Sequence, residues 1–171
     1  MGKSCGPSFL KRTEGYSSKR LSIMKAASIR AKGQDGEREI AKLLNPIVHK
    51  VKRQFKWAEE DILNPHYQIQ RNPNQCANGG ADLQNTYGLC IEIKRQQALN
   101  INTWWKQCEK SAVDLCEIPV LMYRQNNKKW RVVMLGTIAP LVNPCFLCRI
   151  EISMDDFLQY FELHLTNKLR V

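Results

Sequence analysis

The run Leu89-Cys90-Ile91-Glu92-Ile93-Lys94 limits the possible folds more than any other part of the sequence. Side chains of an extended chain alternate between two faces. Leu89, Ile91 and Ile93 therefore line one face, and Cys90, Glu92 and Lys94 line the other. The apolar row suits a core, which makes this a sheet strand. Upstream, Asp82 ends a Gly-Gly-Ala turn, and Thr86-Tyr87-Gly88 makes a second turn between two extended runs. A hairpin of this kind brings Asp82 next to Glu92. Two carboxylates that close repel each other unless a cation sits between them. A hard divalent ion such as magnesium takes oxygen from one or two carboxylates and fills its other positions with water and phosphate oxygens. The plainer reading is an exposed hairpin with a surface Glu92–Lys94 pair, because E-x-K alone is a weak motif.

Around this hairpin the spacing predicts a helix over Gly33–Asn45, capped by Asp35, striped by Ile40, Leu43 and Leu44, and stopped by Pro46. Glu37 and Glu39 fall in its first turns, where the helix dipole alone accounts for acids. Residues 47–64 read either as a strand then a helix or as one interrupted helix. Residues 66–73 alternate like a strand ending at Arg71, and Asn72–Gly80 reads as a loop. After the hairpin, Ile101–Cys116 is expected to be helical, with one of Trp104 and Trp105 packed on the sheet and the other facing DNA or a partner chain. Ile118–Tyr123 and Trp130–Leu135 form a second hairpin. Gly136–Cys148 is irregular, Arg149–Ser153 is a short edge strand, and Asp155–Thr166 is an amphipathic helix. This order implies one α/β domain, a mixed central sheet flanked by helices. We divide it into a basic, partly flexible arm (1–32), a core (33–135) and a C-terminal extension (136–171) whose helix packs on the core or at a dimer interface.

The chain has 171 residues and a net charge of +10, with a pI near 9.4. That surplus favours a polyanionic partner, nucleic acid or an anionic membrane surface. Residues 1–32 concentrate it, with eight Lys and Arg against Glu14 alone. No apolar run reaches the roughly 20 residues that span a bilayer. Charges break up the N-terminal stretch where a signal peptide would need an apolar centre, so the expected location is the cytoplasm. Seven irregularly spaced cysteines in a reducing compartment read as free thiols. Cys145 and Cys148 form a lone CxxC with no second pair to complete a zinc site. His49, His66 and His164 are scattered, and no serine or cysteine triad is visible.

The sequence GQDGEREIAKLL, then Asp82, then Glu92-Ile93-Lys94, then helix-borne Gln107, resembles the PD-(D/E)XK nuclease superfamily. The first piece is similar to the opening helix of archaeal-type Holliday junction resolvases. The segments QRNPNQCANGGADL, IEIKRQQ, TWWKQCEKSA and IPVLMYRQNNKKWRVVM resemble resolvase-type nucleases of bacteriophages. Ala81 stands where the superfamily motif has proline, and residues beyond 135 have no counterpart in it.

The resemblance implies a restriction-endonuclease-like core and a Mg2+-dependent endonuclease, with Mn2+ able to stand in for Mg2+. Asp82, Glu92 and the Ile93 carbonyl would hold the metal, with Glu37 approaching from its helix. Glu37 is preferred to Glu39 because it sits four residues after Gly33, as in the family helix. Lys94 would position or help deprotonate the attacking water, and Gln107 would support the site. Arg71, Lys32, Arg38 and Arg95 are the expected DNA contacts. Branched DNA is the expected substrate, and a two-fold homodimer the expected assembly, since a symmetric junction needs two cuts. Two alternatives stay open: a basic DNA-binding protein without catalysis, and a nuclease of the same fold with another DNA substrate.

Overall fold

The computed structural model describes residues 11–73, 81–138 and 146–170, with side chains from residue 28 onward. The first ten residues of the expected arm, most of the Asn72–Gly80 loop, and Cys5, Cys76 and Cys145 lie outside the described residues.

One helix, α1 (Lys11–Gln54), takes in the described part of the expected arm, runs through the expected stop and covers the first part of the ambiguous 47–64 segment. Pro46 lies inside it and does not end it. An interior proline costs a helix about 3 kcal/mol through the missing N–H and a clash one turn back. Here that cost is offset on both sides. Ile40, Leu44, Val48 and Val51 are fully buried along one stripe, each contributing about 1.5–3 kcal/mol. The Pro46 ring itself faces solvent. Asp35 does not cap the helix and instead pairs with Arg38 one turn on, at 3.0 Å. The glycine that matters is Gly36, where a Cβ would lie 3.3 Å from the Trp130 ring and 3.5 Å from Ile93. Its absence lets α1 lie close against the sheet.

Lys56, with φ of 58°, ends the run after α1, and α2 (Glu59–Leu63) follows. The strand expected over 66–73 shrinks to β1 (Gln70–Arg71). Pro65 instead starts a 3-10 turn through Tyr67, a use suited to its fixed φ and missing N–H. β2 (Leu83–Gln84) pairs antiparallel with β1, so the ladder expected between the Asp82 run and the central strand forms with β1 instead. The turn between β2 and β3 (Leu89–Arg95) is tight, with positive φ at Asn85, Tyr87 and Gly88.

Four strands form the main sheet, in the order β3, β4 (Ile118–Arg124), β5 (Arg131–Ile138), β6 (Phe146–Ser153). β3 and β4 run parallel, joined by the crossover helix α3 (Ile101–Leu115), and the other pairings are antiparallel. α4 (Met154–Arg170) closes the chain, and Ser153 Oγ accepts from the Asp156 N–H at 3.1 Å at its start. This is the mixed sheet flanked by helices expected of the fold class.

The period-two reading of β3 holds. Leu89, Ile91 and Ile93 join the main core with α1 and with Phe157, Phe161 and Leu165 of α4. α3 covers the opposite face. Trp104 and Trp105 both pack there, with Cys108, Leu121, Tyr123 and Val133, so neither is left for DNA or a partner. Neighbours on a helix are only about 100° apart. Two rings straddling the contact line can therefore both reach the sheet, and Trp104 meets Tyr123 at 6.4 Å between centroids. No helix among the described residues is long and apolar enough to cross a membrane.

Candidate active site

The even-numbered side chains of β3 point toward α3. Cys90 packs with Ala81 and Ala112, and Cys108 Sγ donates to the Cys90 carbonyl at 3.6 Å. The bond to Cys90 and burial hold the Cys108 thiol well above the usual thiol range. These thiols are packing groups, not nucleophiles. One step along, Glu92 is 1% exposed. At the strand's end Lys94 Nζ forms an ion pair with Glu92 Oε1. Beyond that ion pair, neither of the buried Glu92 oxygens has an aligned hydrogen bond among the described residues.

Asp82 enters from the open flank of β3. Its N–H donates to the Ile91 carbonyl at 2.9 Å, and its Oδ2 accepts the Ile93 N–H. The Asp82 carbonyl accepts the Asn72 N–H at 2.9 Å, which ties this segment to the end of β1. Alternate residues of a strand turn their backbone groups the same way. Ile91 and Ile93 both face Asp82, so the Ile93 carbonyl also faces that flank and not β4.

From α1, Glu37 is buried, and Arg71 Nε donates to its Oε2 at 2.5 Å. Burial pushes the Asp82 carboxyl up to about 8. The Glu92 charge adds to the rise and Glu37 adds a little more, while the Ile93 N–H and Lys94 oppose it. The three acids thus share one electrostatic neighbourhood. They are not a ready-made three-ligand centre, since no group of three or more His, Cys, Asp or Glu among the described residues is placed to hold a metal ion. What fits a cation is the Asp82–Glu92 pair: an all-oxygen donor set in which Glu92 has only the Lys94 ion pair and no aligned hydrogen bond among the described residues, and in which burial and then the Glu92 charge raise the Asp82 carboxyl. Such a set suits a hard divalent ion, which needs only one or two carboxylates.

The remaining expected residues are scattered. Gln107 is exposed on α3 and bonds to none of these groups among the described residues. Arg71, expected to touch phosphate, is engaged by Glu37. Lys32 and Arg38 are exposed on α1, with Arg38 on Asp35. Arg95 is half-buried, and its Nε has no partner among the described residues. Cys148 is a half-buried free thiol on β6.

Sequence reasoning missed the cluster around Glu39. Arg124 grips both Glu39 oxygens, at 2.8 and 2.7 Å. Trp130 Nε1 donates to Glu39 Oε1 at 2.9 Å, and the Arg124 guanidinium lies over the Trp130 ring at 4.6 Å. Glu37 and Glu39 are separated by about 200° around the helix, so their environments differ completely. The partners come from the end of β4 and the residue just before β5, far away in sequence, and no local signal announces them.

A solved structure of the Holliday junction resolvase Hjc from Archaeoglobus fulgidus matches at a TM-score of 0.35 and 16% identity, over 54% of this chain and 85% of that one. No curated protein matches. The family model described as "Phage putative PDDEXK endonuclease" matches residues 28–167, a span that takes in Glu37, Asp82, Glu92 and Lys94. The chain belongs to this family of phage PDDEXK endonucleases.

Proposed function

We propose that this protein is a metal-dependent DNA endonuclease that hydrolyses phosphodiester bonds at the Asp82–Glu92–Lys94 site, with branched DNA as its substrate. The observation that carries the reading is the buried Glu92 carboxylate, short of partners, beside an Asp82 held near 8 by burial and like charge. A structural ion pair would not need a third acid beside it that stays neutral only by keeping its proton. Asp82, Glu92 and the Ile93 carbonyl would hold Mg2+, or Mn2+ in its place, with Glu37 behind them. A divalent cation seated there would replace the proton on Asp82 and supply the Lewis acidity that phosphodiester hydrolysis needs.

The chain's own groups do the rest. Lys94 Nζ, only partly exposed and fixed by Glu92, orients the attacking water and offsets charge growing on the phosphate. Arg71 holds Glu37 in place; Gln107, expected to support the site, is exposed and bonds to none of its groups among the described residues, so its role is reassigned to contact with bound DNA. The preference for branched DNA and the two-fold dimer rest on the motif resemblance, and the site of action is the host cytoplasm.

The test incubates wild type, Asp82→Ala and Glu92→Ala with labelled four-way junction, linear duplex and single strand, with and without Mg2+. Wild type should cut only with metal and should prefer the junction, while both variants bind without cutting. Cleavage that survives in both variants removes the assigned site. Binding by wild type with no cutting under any divalent ion favours a non-catalytic DNA-binding protein.

A further inference from the structure

The parallel pair β3–β4 ends in two adjacent arginines, Arg95 beside Arg124. Arg124 is neutralised by Glu39. Among the described residues Arg95 has no acid, and its Nε is buried without a partner. Just beyond, the β4–β5 turn presents Lys128 and Lys129, both exposed. Neither forms an ion pair among the described residues. The two lysines line a cavity of about 610 Å³ that reaches the start of α4, where Asp155 lines it too. Gln125 Nε2 donates to the Gln97 carbonyl at 2.8 Å, and the Gln96 N–H donates to the Arg124 carbonyl at 3.2 Å. The turn is therefore fastened to the chain leaving β3, immediately after Lys94.

α1 reaches the same end of the sheet. Gly36 touches Trp130 and Ile93 there, whereas a Cβ on Gly33 would meet nothing within 4 Å. Arg30 and Lys32, on the turns that leave the core, are exposed. Uncompensated cations thus gather at the carboxyl ends of β3 and β4, the end of the sheet at which Lys94 lies. Cations spread along a strip in this way match a nucleic-acid backbone, which carries a charge at every step.

We propose that Arg95, Lys128 and Lys129, with Arg30 and Lys32, form the track that carries a duplex arm away from the active site by phosphate contacts. This rests on the endonuclease reading, and it adds the direction in which DNA leaves and the turn that guides it. The track is one-sided. The opposite end of β3, about 20 Å away, also carries exposed cations, Lys168 and Arg170. A Cβ on Gly88, just before that strand begins, would lie 3.5 Å from Lys168 Nζ. These cations stand outside the track and provide a matched control.

The experiment measures fluorescence anisotropy of a labelled duplex and four-way junction against full-length wild type, Lys128→Glu/Lys129→Glu and Lys168→Glu/Arg170→Glu, in Ca2+ across a salt series. Mg2+-dependent cleavage is followed in parallel, with circular dichroism as a control on folding. The turn variant should bind at least tenfold more weakly. The slope of log affinity against log salt should shrink by about two, roughly one for each lysine that no longer neutralises a phosphate. The control variant should stay within about threefold of wild type. Equal weakening of the two variants, or a turn variant that binds like wild type, overturns the track. Wild type that binds but never cuts would sink the endonuclease reading and leave the track to be judged on binding alone. If the turn variant proves unfolded, Lys128→Gln/Lys129→Gln removes charge more gently and must still weaken binding several-fold.

Discussion

Glu37 and Glu39 sit two residues apart on one helix, yet they belong to opposite kinds of environment. Glu39 is fully answered, with two Arg124 nitrogens on its oxygens, the Trp130 N–H as a third donor, and the arginine resting on the indole. Glu37 faces a neighbourhood in which the acids outnumber their partners. Arg71 answers Glu37 and Lys94 contacts Glu92, but Asp82 adds a third acid, and the Glu92 oxygens stay without aligned donors. A fold that answers one carboxylate as completely as it does Glu39 has gathered three acids against two cations at one place, and Asp82 is neutral there only by keeping its proton until about 8. On the endonuclease reading proposed above, that contrast separates a structural ion cluster from a site that would take a cation.

The contrast can be broken most directly at the acids themselves. Asp82→Asn or Glu92→Ala should lower metal-dependent cleavage by at least about a hundredfold while leaving the fold intact, as measured by turnover and by thermal melting. Glu39→Ala should behave in the opposite way. It leaves Arg124 and the Trp130 N–H without their acceptor, so stability should fall by about 1–3 kcal/mol in denaturant unfolding. Cleavage per folded molecule should stay within about threefold of wild type. A Glu39 variant that is fully stable but catalytically dead would erase the distinction.

The metal-free protein offers a subtler check through pH. The folded state holds the Asp82 proton until about 8, while the unfolded chain releases it near the ordinary 3.8. Between those values the native state binds more protons, so this group's contribution to stability falls as pH rises through the window. Asp82→Asn should flatten that part of a stability–pH profile, and an unchanged slope would show that Asp82 is not held protonated. The smallest effect is expected at Gln107. Because it is exposed and bonds to none of the site groups, Gln107→Ala should raise KM a few-fold and leave kcat within about twofold.

How much of this is legible in the sequence depends on the range of the forces involved. Alternation in β3 is a local signal, and it places Glu92 and Lys94 on one face and the apolar row in the core. The step back to Asp82 is also readable, although β2 takes β1 as its ladder partner and meets β3 mainly through Asp82 itself. Pro46 does not stop α1 because its local penalty is outweighed by burial of Val48 and Val51 against strands the helix cannot announce. The strand over 66–73 shrinks because Pro65 begins a 3-10 turn. Arg71 carries the right charge for a phosphate, but Glu37, thirty-four positions earlier, has claim to it. Glu39 and its partners are invisible for the same reason.

The central claim is that Asp82 and Glu92 together seat a divalent cation. A crystal soaked in Mn2+ and measured at the manganese absorption edge tests this most directly. An anomalous peak within about 2–2.5 Å of an oxygen from each of Asp82 and Glu92 is the predicted result. No peak there, with manganese bound elsewhere or not at all, would contradict it.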